Sequence, residues 1–343
     1  MYLYFAGAEA HCPRLYENGV RNMLASFYYI RRKRKQAGYK YMEQMFQRYG
    51  KTIRWFMDSG AFTMQQEGRD KDADKFLDDY IYMLKQWRNY LHCCVELDLD
   101  VYMGMGWTQY ARARILNETS FIPILVHHPD TRTFPEFINN CKRYPWIGFS
   151  IGDGDLFEGN AFMKYYLEAC RTKTKLHAFG ITQPRILSKY HFYSCDSFSW
   201  SMGAKFGTTF INKARGNLHR YNNFEKSIRR SLLSRLRMWG IPVIDVLNDK
   251  YIAVDRWNII AWMICEEDLN KQFGEPYWKE PRHSSNQIPK KIGLKSVIYD
   301  ADGNIVNPVQ SKVISKNRQI EIRSRFKSRG DKSRQWYVKS VKN

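Results

Sequence analysis

One carboxylate interrupts an apolar and aromatic segment late in the chain. Asp196 lies in the middle of residues 193–200, which are otherwise Tyr, Phe, Trp, Ser and Cys. A buried strand has little reason to carry an unpaired carboxylate, because removing that charge from water is costly. We therefore predict that Asp196 is the nucleophile of a glycosyl-transfer enzyme.

A second carboxylate, Asp58, has a similar setting within residues 55–62, where Ser59 and Gly60 follow it. Glycine permits a tight turn and lets a ligand come close to the backbone. One interpretation is that Asp58 is a functional carboxylate at the end of a strand. The other is that its side chain only caps the following turn.

Three further carboxylates, Glu96, Asp98 and Asp100, alternate with apolar residues. Because side chains alternate between the two faces of a strand, this spacing predicts that all three point to one side. Three like charges on one inward face need cationic or hydrogen-bonding partners. A surface-facing edge strand would avoid the repulsion, but both faces of a parallel barrel strand are covered.

Two adjacent histidines, His127 and His128, end another apolar run. Neighbouring side chains on a strand point in opposite directions, so the pair cannot easily bind one metal ion together. A capping or hydrogen-bonding role is the simpler interpretation. Farther along, Gly148, Gly152 and Gly154 indicate either a turn or backbone amides that face a flat ligand.

The elements that would position these residues alternate between strands and helices. We predict strands at residues 2–6, 53–57, 93–99, 121–126, 146–151, 175–179, 194–198 and 241–247. We predict helices at residues 15–36, 72–91, 133–144, 162–171, 184–190, 224–239 and 256–273. Eight strand–helix units in about 275 residues match an α/β fold of the TIM-like (β/α)8 barrel type. A doubly wound sheet is the rival, but no Gly-rich dinucleotide turn follows the first strand.

The chain has 343 residues, of which 44% are hydrophobic and 15% aromatic, which excludes global disorder. We expect a barrel over residues 1–280 and a short basic C-terminal extension over 281–343, with one hairpin near 297–306. No apolar run approaches the roughly 20 residues of a membrane helix, and the first residues lack the features of a secretory signal. The seven cysteines show no pairing pattern, so we expect a cytoplasmic protein, either a monomer or a homodimer.

The charge balance is strongly basic, with 55 Lys and Arg against 34 Asp and Glu and a net charge of +21. Such a balance favours a polyanionic partner, most often nucleic acid, although a basic surface can also serve solubility alone. We predict nucleic-acid contacts from the tail after residue 318 and from the basic helix at residues 224–239. The helix carries Arg229, Arg230, Arg235 and Arg237.

The order of the motifs resembles the tRNA-guanine transglycosylase family. Over about residues 50–200 the chain has Asp-Ser-Gly-x-Phe after the second predicted strand, an Asp on the third, and Gly-x-x-x-Gly around the fifth. A Gly-Ile pair follows the sixth strand, and a Cys-Asp pair lies on the seventh. Each motif alone is common, and their shared order makes the resemblance more specific.

The resemblance implies roles for both isolated carboxylates. Asp196 matches the family's nucleophile, which attacks the ribose C1′ and releases guanine. Asp58 matches an acid/base carboxylate near the bases. Phe62 and Phe179 match the two positions that sandwich the flat base.

The resemblance also implies further contacts to the base. Asp98 matches the carboxylate that binds its Watson–Crick edge, and Gly148 matches a backbone contact to its carbonyl. His127 takes the place of a family Gln that hydrogen-bonds the same base. We group Ser59, which follows Asp58, with these substrate-binding residues.

The chain departs from the tRNA enzymes in several places. Their Cys-x-Cys-x-x-Cys zinc site is absent after the seventh strand, Ser199-Trp200-Ser201 replaces a Pro-Thr-Arg, and Ala61 stands where they have Gly. These departures are similar to the DNA-acting branch (DpdA-like), which exchanges guanine in DNA for a 7-deazaguanine such as preQ0. Small zinc-free versions are similar to those carried by bacteriophages, which would act in the host cytoplasm. The resemblance thus implies DNA and a free 7-deazaguanine as partners, and no metal or other cofactor.

Base exchange of this kind needs two carboxylates. Breaking an N-glycosidic bond builds positive charge at C1′, which a nearby carboxylate stabilises and then bonds to, as in retaining glycosidases. The incoming base must lose a proton as it attacks, and we assign this step to Asp58. Three alternatives stay open: a tRNA acceptor, a hydrolase that only removes guanine, and a non-catalytic nucleic-acid-binding barrel.

Overall fold

The fold is built on eight parallel strands that alternate with helices. The computed structural model describes residues 1–32, 36–67, 72–150, 154–157, 160–181, 183–206, 208–212, 218–221, 237–248, 250–274 and 276–278. The strands are β1 (Tyr2–Ala6), β2 (Asn22–Ser26), β3 (Arg54–Asp58), β4 (Leu91–Cys94), β5 (Leu125–Val126), β6 (Trp146–Ser150), β7 (Lys175–Phe179) and β8 (Ser194–Ser197).

These strands form one curled sheet in the order β4-β3-β2-β1-β8-β7-β6-β5. The two edge strands, β4 and β5, meet at a parallel bridge between Val95 and Ile124. Ile124 N–H donates to the Cys94 carbonyl at 2.8 Å, and Glu96 N–H donates to the Ile124 carbonyl at 3.1 Å. Neighbours in sequence are therefore neighbours in the sheet, and the expected TIM-like (β/α)8 architecture is confirmed.

Helices follow the strands and cover the outside of the sheet. They are α1 (Ala8–Glu17), α2 (Phe27–Arg32), α3 (Gln36–Tyr49), α4 (Ala61–Glu67), α5 (Ala73–Gln86), α6 (Asp100–Met103), α7 (Met105–Thr119), α8 (Phe134–Arg143), α9 (Gly154–Phe157), α10 (Met163–Thr172), α11 (Pro184–Leu187), α12 (Ser199–Lys205), α13 (Val243–Leu247) and α14 (Tyr251–Phe273).

Two of the predicted helices begin at side chains that cap them. The Asp72 carboxylate accepts a hydrogen bond from Lys75 N–H at 2.9 Å at the start of α5. Thr133 and Glu136 form a reciprocal capping box at the start of α8. Each cap satisfies N–H groups that have no partner within the helix, which fixes the helix start as expected.

The described residues form eight barrel strands, the predicted number, but the sequence missed β2 and assigned residues 241–247 wrongly. Residues 15–36 were expected to be one helix, yet α1 ends at Glu17, Gly19 turns with φ of 91°, and β2 follows. Met23 and Ala25 of β2 are fully buried. A strand covered on both faces lacks the alternation that separates it from a helix. Residues 241–247 were expected to be a strand, whereas α13 occupies most of them.

The barrel interior is apolar along most of its length. The buried residues that meet there are Tyr4, Leu24, Phe56, Cys93, Val95, Ile124, Val126, Trp146, Tyr193 and Trp278. A larger apolar layer lies between the strands and the surrounding helices. Trp278 follows α14 and packs against Tyr193, with ring centroids 5.2 Å apart, beside the start of β8.

The long helix α14 is tied to the first strands of the barrel. The Glu266 carboxylate accepts from Leu3 N–H at 3.1 Å and from the Asn22 side-chain amide at 3.2 Å. An antiparallel hairpin of β9 (Thr209–Asn212) and β10 (Leu218–Tyr221) also packs on α14. Trp257 Nε1–H donates to the Phe210 carbonyl at 2.8 Å and holds the hairpin there.

Some of the sequence predictions fall on other parts of the chain. The extension at 281–343, with its predicted hairpin and basic tail, lies outside the described residues. So do Arg229, Arg230 and Arg235, whereas Arg237 is described and exposed. Among the described helices, none has the length and apolar character needed to cross a membrane.

Candidate active site

Asp58 and Asp196 both lie toward the carboxyl end of the barrel. Asp58 is the last residue of β3, and Asp196 is the third residue of β8. Phe56, two residues before Asp58, lies in the barrel interior, so strand alternation directs Asp58 inward as well. Asp196 pairs in register with Tyr4, which is also an interior residue. The charge of Asp196 contributes to raising the pKa of Asp58, so the two carboxylates lie within electrostatic reach.

The environment of Asp58 favours its protonated form. Burial raises the pKa of Asp58 to about 6, and the charge of Asp196 acts in the same direction. Hydrogen bonds from the Ser26 hydroxyl and from the N–H groups of Gly60 and Ser59 oppose this rise. The Gly60 N–H lies 3.0 Å from Asp58 Oδ2. A carboxyl group with this pKa can both give and take a proton near neutral pH.

The environment of Asp196 consists of hydrogen-bond donors. The Gly180 N–H donates to Oδ1 at 2.9 Å, and His177 Nε2 lies 3.3 Å from the same oxygen. Fourteen per cent of the Asp196 side chain is exposed. Gly180 takes φ of 65° in the turn after β7, a conformation that glycine adopts without strain and that brings its N–H to β8.

Sequence reasoning missed His177, which is fully buried on β7. The signal was its position two residues before Phe179, since alternate residues of a strand share one face. Its ring lies 4.2 Å from the Phe179 ring and 4.7 Å from the Phe56 ring, measured between centroids. His177 therefore shares the barrel interior with the two carboxylates.

Phe179 and Gly148 lie against each other on neighbouring strands. A Cβ atom added to Gly148 would come within 2.2 Å of Phe179 Cε2. The Gly148 carbonyl accepts from His127 N–H at 2.8 Å. Glycine at this position thus makes room for an aromatic wall, and Phe179 is half-buried at the end of β7.

Glu96, Asp98 and Asp100 come together around one arginine, although the chain leaves the strand before it reaches them. The strand β4 ends at Cys94, so the expected two-residue alternation over 93–99 was wrong. Arg132, with 4% of its side chain exposed, lies 3.8 Å from Glu96, 3.1 Å from Asp98 and 3.3 Å from Asp100. The cationic partner that three close carboxylates require is therefore present.

Three further groups complete this acidic cluster. Arg112 Nε donates to Glu96 Oε2, and Val126 N–H donates to Glu96 Oε1 at 2.6 Å. His128 Nε2 lies 2.5 Å from Asp98 Oδ2. Although burial acts in the opposite direction, His128 and Arg132 hold the pKa of Asp98 below its ordinary value.

Ligand atoms of Asp98, Asp100 and His128 lie within 4.8 Å of one another, the spacing of a metal site. Asp98 and Asp100 each already form an ion pair with Arg132 Nη2. The guanidinium supplies the positive charge that the two carboxylates share, so these contacts give the cluster a structural role.

His127 lies on the other side of the sheet from the two carboxylates. Its ring packs among Phe137, Phe149 and Tyr165, with centroids 5.2, 5.4 and 5.6 Å away. Burial lowers the pKa of His127 to about 3. The expectation that His127 binds a base at the barrel mouth was therefore wrong, because the register of β5 turns it toward α8 and α10.

Ser59 and Phe62 follow Asp58 and have different surroundings. The Ser59 hydroxyl is buried and donates to the Glu96 carbonyl at 2.8 Å, which braces the turn after β3. Phe62 lies in the first turn of α4 and is 52% exposed. Ser59 thus supports the loop, while Phe62 presents an accessible ring four residues after Asp58.

Comparison with known proteins adds little to this geometry. No protein family and no curated protein matches the chain. Among solved structures, the chain is similar to a racemase from Streptomyces coelicolor A3(2) with bound magnesium, at a TM-score of 0.40 and 13% sequence identity. The match covers 58% of this chain and 57% of that racemase, so it spans just over half of either protein. A likeness at this level carries no argument about function.

Proposed function

We propose that this protein is an enzyme, a DNA guanine transglycosylase that exchanges guanine for a 7-deazaguanine such as preQ0. The observation that carries the proposal is the pair of inward carboxylates in unequal environments. Asp196 accepts hydrogen bonds from Gly180 and His177, whereas burial raises the pKa of Asp58 to about 6. Paired carboxylates in unequal settings allow one to act as nucleophile and the other to move protons.

The first half of the reaction breaks the bond to guanine. Oδ2 of Asp196 attacks C1′ of the nucleotide, the C1′–N9 bond breaks, and a glycosyl ester forms. The departing guanine takes up a proton that Asp58 supplies. Because the pKa of Asp58 is about 6, a useful fraction of this group carries that proton near neutral pH.

The second half rebuilds the bond with a different base. N9–H of the incoming 7-deazaguanine gives its proton to Asp58, N9 attacks C1′, and the ester to Asp196 breaks. Two displacements at C1′ return the original configuration. Asp58 ends the cycle protonated and ready for the next guanine, so the reaction needs no outside proton source.

Two aromatic rings support a flat base as the ligand. Phe179 contacts His177 beside Asp196, and Phe62 is exposed four residues after Asp58. A guanine in duplex DNA must leave the stack before it reaches such rings, at a cost of a few kcal/mol. The net charge of +21 favours contacts to phosphates while the base is out of the stack.

The decisive test offers labelled preQ0 with guanine-containing DNA and with tRNA in parallel. We expect wild-type protein and a surface control, Glu43→Gln, to label DNA, and Asp196→Asn to label neither acceptor while still binding DNA. Wild-type incorporation by Asp196→Asn would refute the assignment.

The other outcomes identify the alternatives. Label in tRNA alone would make tRNA the acceptor, and free guanine released without added base would indicate a hydrolase. DNA binding without incorporation or a covalent adduct in the wild type would indicate a non-catalytic barrel.

The basic segment at residues 224–239 is the proposed DNA contact. We expect combined neutralisation of Arg229, Arg230, Arg235 and Arg237 to weaken DNA binding and to flatten its salt dependence by about 0.9 in log–log slope per lost phosphate contact. Arg114→Gln on α7, which removes one positive charge elsewhere on the protein, serves as a control to be compared with each single Arg variant of the segment. Unchanged affinity and slope in the fourfold variant would remove this segment from the interface.

A further inference from the structure

His177 and Ser194 form a hydrogen-bonded chain behind Asp196. The Ser194 hydroxyl lies 2.7 Å from His177 Nδ1, and His177 Nε2 lies 3.3 Å from Asp196 Oδ1. Ser194 and Asp196 are two residues apart on β8, so both face the barrel interior. The proposed reaction assigns no step to either His177 or Ser194.

The surroundings of His177 favour its neutral form. Phe56 and Phe179 lie against its ring, and Trp146 lies 6.4 Å away between centroids. Burial lowers the pKa of His177, although the hydrogen bond to Asp196 opposes this shift. A neutral imidazole carries one N–H, and a hydroxyl that donates to Nδ1 leaves that hydrogen on Nε2, facing Asp196.

The hydrogen bonds to Asp196 are unequal between its two oxygens. Within the described part of the chain, both donors, Gly180 N–H and His177 Nε2, meet Oδ1. Two donors on one oxygen fix the rotation of the carboxylate and leave Oδ2 to react. A neutral imidazole can hold Oδ1 in this way without forming an ion pair. An ion pair with a charged imidazolium would lower the nucleophilicity of the carboxylate.

We propose that His177, with its tautomer fixed by Ser194, is a positioning residue that holds Oδ1 of Asp196 and presents Oδ2 to the anomeric carbon. This inference rests on the proposed function. The titratable groups that face Asp196 are His177 on β7 and Asp58 on β3, and Cys195 adjoins it on β8. Removal of the His177 donor takes a charge-assisted hydrogen bond from the Asp196 carboxylate and lets the carboxylate rotate, so the chemical environment of its carboxyl carbon should change.

The test uses three variants of the full chain. His177→Phe keeps an aromatic ring but loses the donor, His177→Gln restores a donor near the position of Nε2, and Ser194→Ala frees the tautomer. The ¹³C NMR chemical shift of the Asp196 carboxyl carbon, compared at one neutral pH, reports on the hydrogen bond without any substrate. Base exchange measured against pH and base concentration reports on the reaction.

We expect the ¹³C chemical shift of the Asp196 carboxyl to move in His177→Phe and to return toward the wild-type value in His177→Gln. We expect kcat for exchange to fall by about 10- to 100-fold in His177→Phe, the effect of one lost hydrogen bond to a charged group, by less in Ser194→Ala, and KM for the base to change little. His177→Gln should recover part of kcat, because it restores a donor to Oδ1 of Asp196.

Two results separate this inference from the proposed function. If the ¹³C chemical shift of the Asp196 carboxyl is the same in wild type and His177→Phe while both remain folded, His177 does not hold Asp196 and the inference is refuted. If the ¹³C chemical shift moves as expected but wild-type protein exchanges no base, the contact stands and the transglycosylase proposal fails, together with the catalytic part of the inference.

Discussion

Replacement of Asp58 by Asn should remove base exchange. The same replacement should stabilise the folded protein at neutral pH, but not at acidic pH. Burial raises the pKa of Asp58 to about 6 from an ordinary value of 3.8. Below pH 3.8 the group is neutral in both folded and unfolded chains. Between those two values the unfolded chain ionises first, so the folded state loses stability as pH rises toward 6.

The size of this loss follows from the difference between the two pKa values. Each pKa unit is worth about 1.4 kcal/mol, so a rise from 3.8 to about 6 corresponds to about 3 kcal/mol at pH 8. Asparagine keeps the shape and an oxygen that can accept from Gly60 N–H, but it carries no charge. Asp58→Asn should therefore gain up to about 3 kcal/mol at pH 8 and almost nothing at pH 3.5.

Urea unfolding of wild type, Asp58→Asn and the surface control Glu43→Gln over pH 3.5–8 measures this effect. The gain of Asp58→Asn should grow between pH 4 and 6.5 and then level off, while Glu43→Gln follows the wild type. Exchange activity is measured on the same samples. An equal gain at pH 3.5 and pH 8, or retained exchange activity, would refute the reasoning.

Three further predictions follow from the packing. Gly148→Ala should displace the Phe179 ring, since the new Cβ would lie 2.2 Å from it. Thermal unfolding should show a loss of stability of about 1–3 kcal/mol, and KM for the base should rise. The control Gly106→Ala on α7, where an added Cβ meets open space, should change neither quantity. Arg132→Met leaves three carboxylates without their shared cation, and urea unfolding should show a loss of about 3–5 kcal/mol; a loss below 1 kcal/mol would contradict the cluster. His127→Phe should leave base exchange intact and should stabilise the folded protein more at pH 5 than at pH 8. The pKa of His127 is lowered to about 3 in the folded protein, so at pH 5 only the unfolded chain takes up the proton. Reduced exchange by folded His127→Phe would place His127 at the reaction after all.

The positions of the two carboxylates were accessible from sequence because each interrupts an apolar run. This contrast is a local feature of the sequence and does not depend on the neighbouring strands. Asp58 and Asp196 could therefore be predicted from the sequence to act together. Their location at the same end of the barrel depends only on the parallel arrangement, which the repeated strand–helix order indicates. The raised pKa of Asp58 could not be predicted, since it depends on burial and on how close Asp196 comes.

The register of β5 and the end of β4 determine features of the site that the sequence does not reveal. His127 and His128 were expected to point in opposite directions, but the side of the sheet that each faces depends on β5, where Ile124 and Val126 lie inside. The same alternation turns His128 toward Asp98 and His127 outward. The acidic residues after β4 were misplaced for a related reason, since nothing in their alternation reveals that the strand ends at Cys94.

The bond between Leu3 and Glu266 spans 263 residues of sequence, and β1 also pairs with β8 from Tyr2 to Phe5. On the ribosome, one edge of β1 therefore has no permanent neighbour until roughly 190 more residues have been made. At about 5–20 residues per second, that edge stays open for about 10–40 s. Nascent chains of this protein should thus depend on chaperone protection during that interval, and ribosome-bound chains truncated before β8 should be more sensitive to protease at β1 than chains that extend past α14.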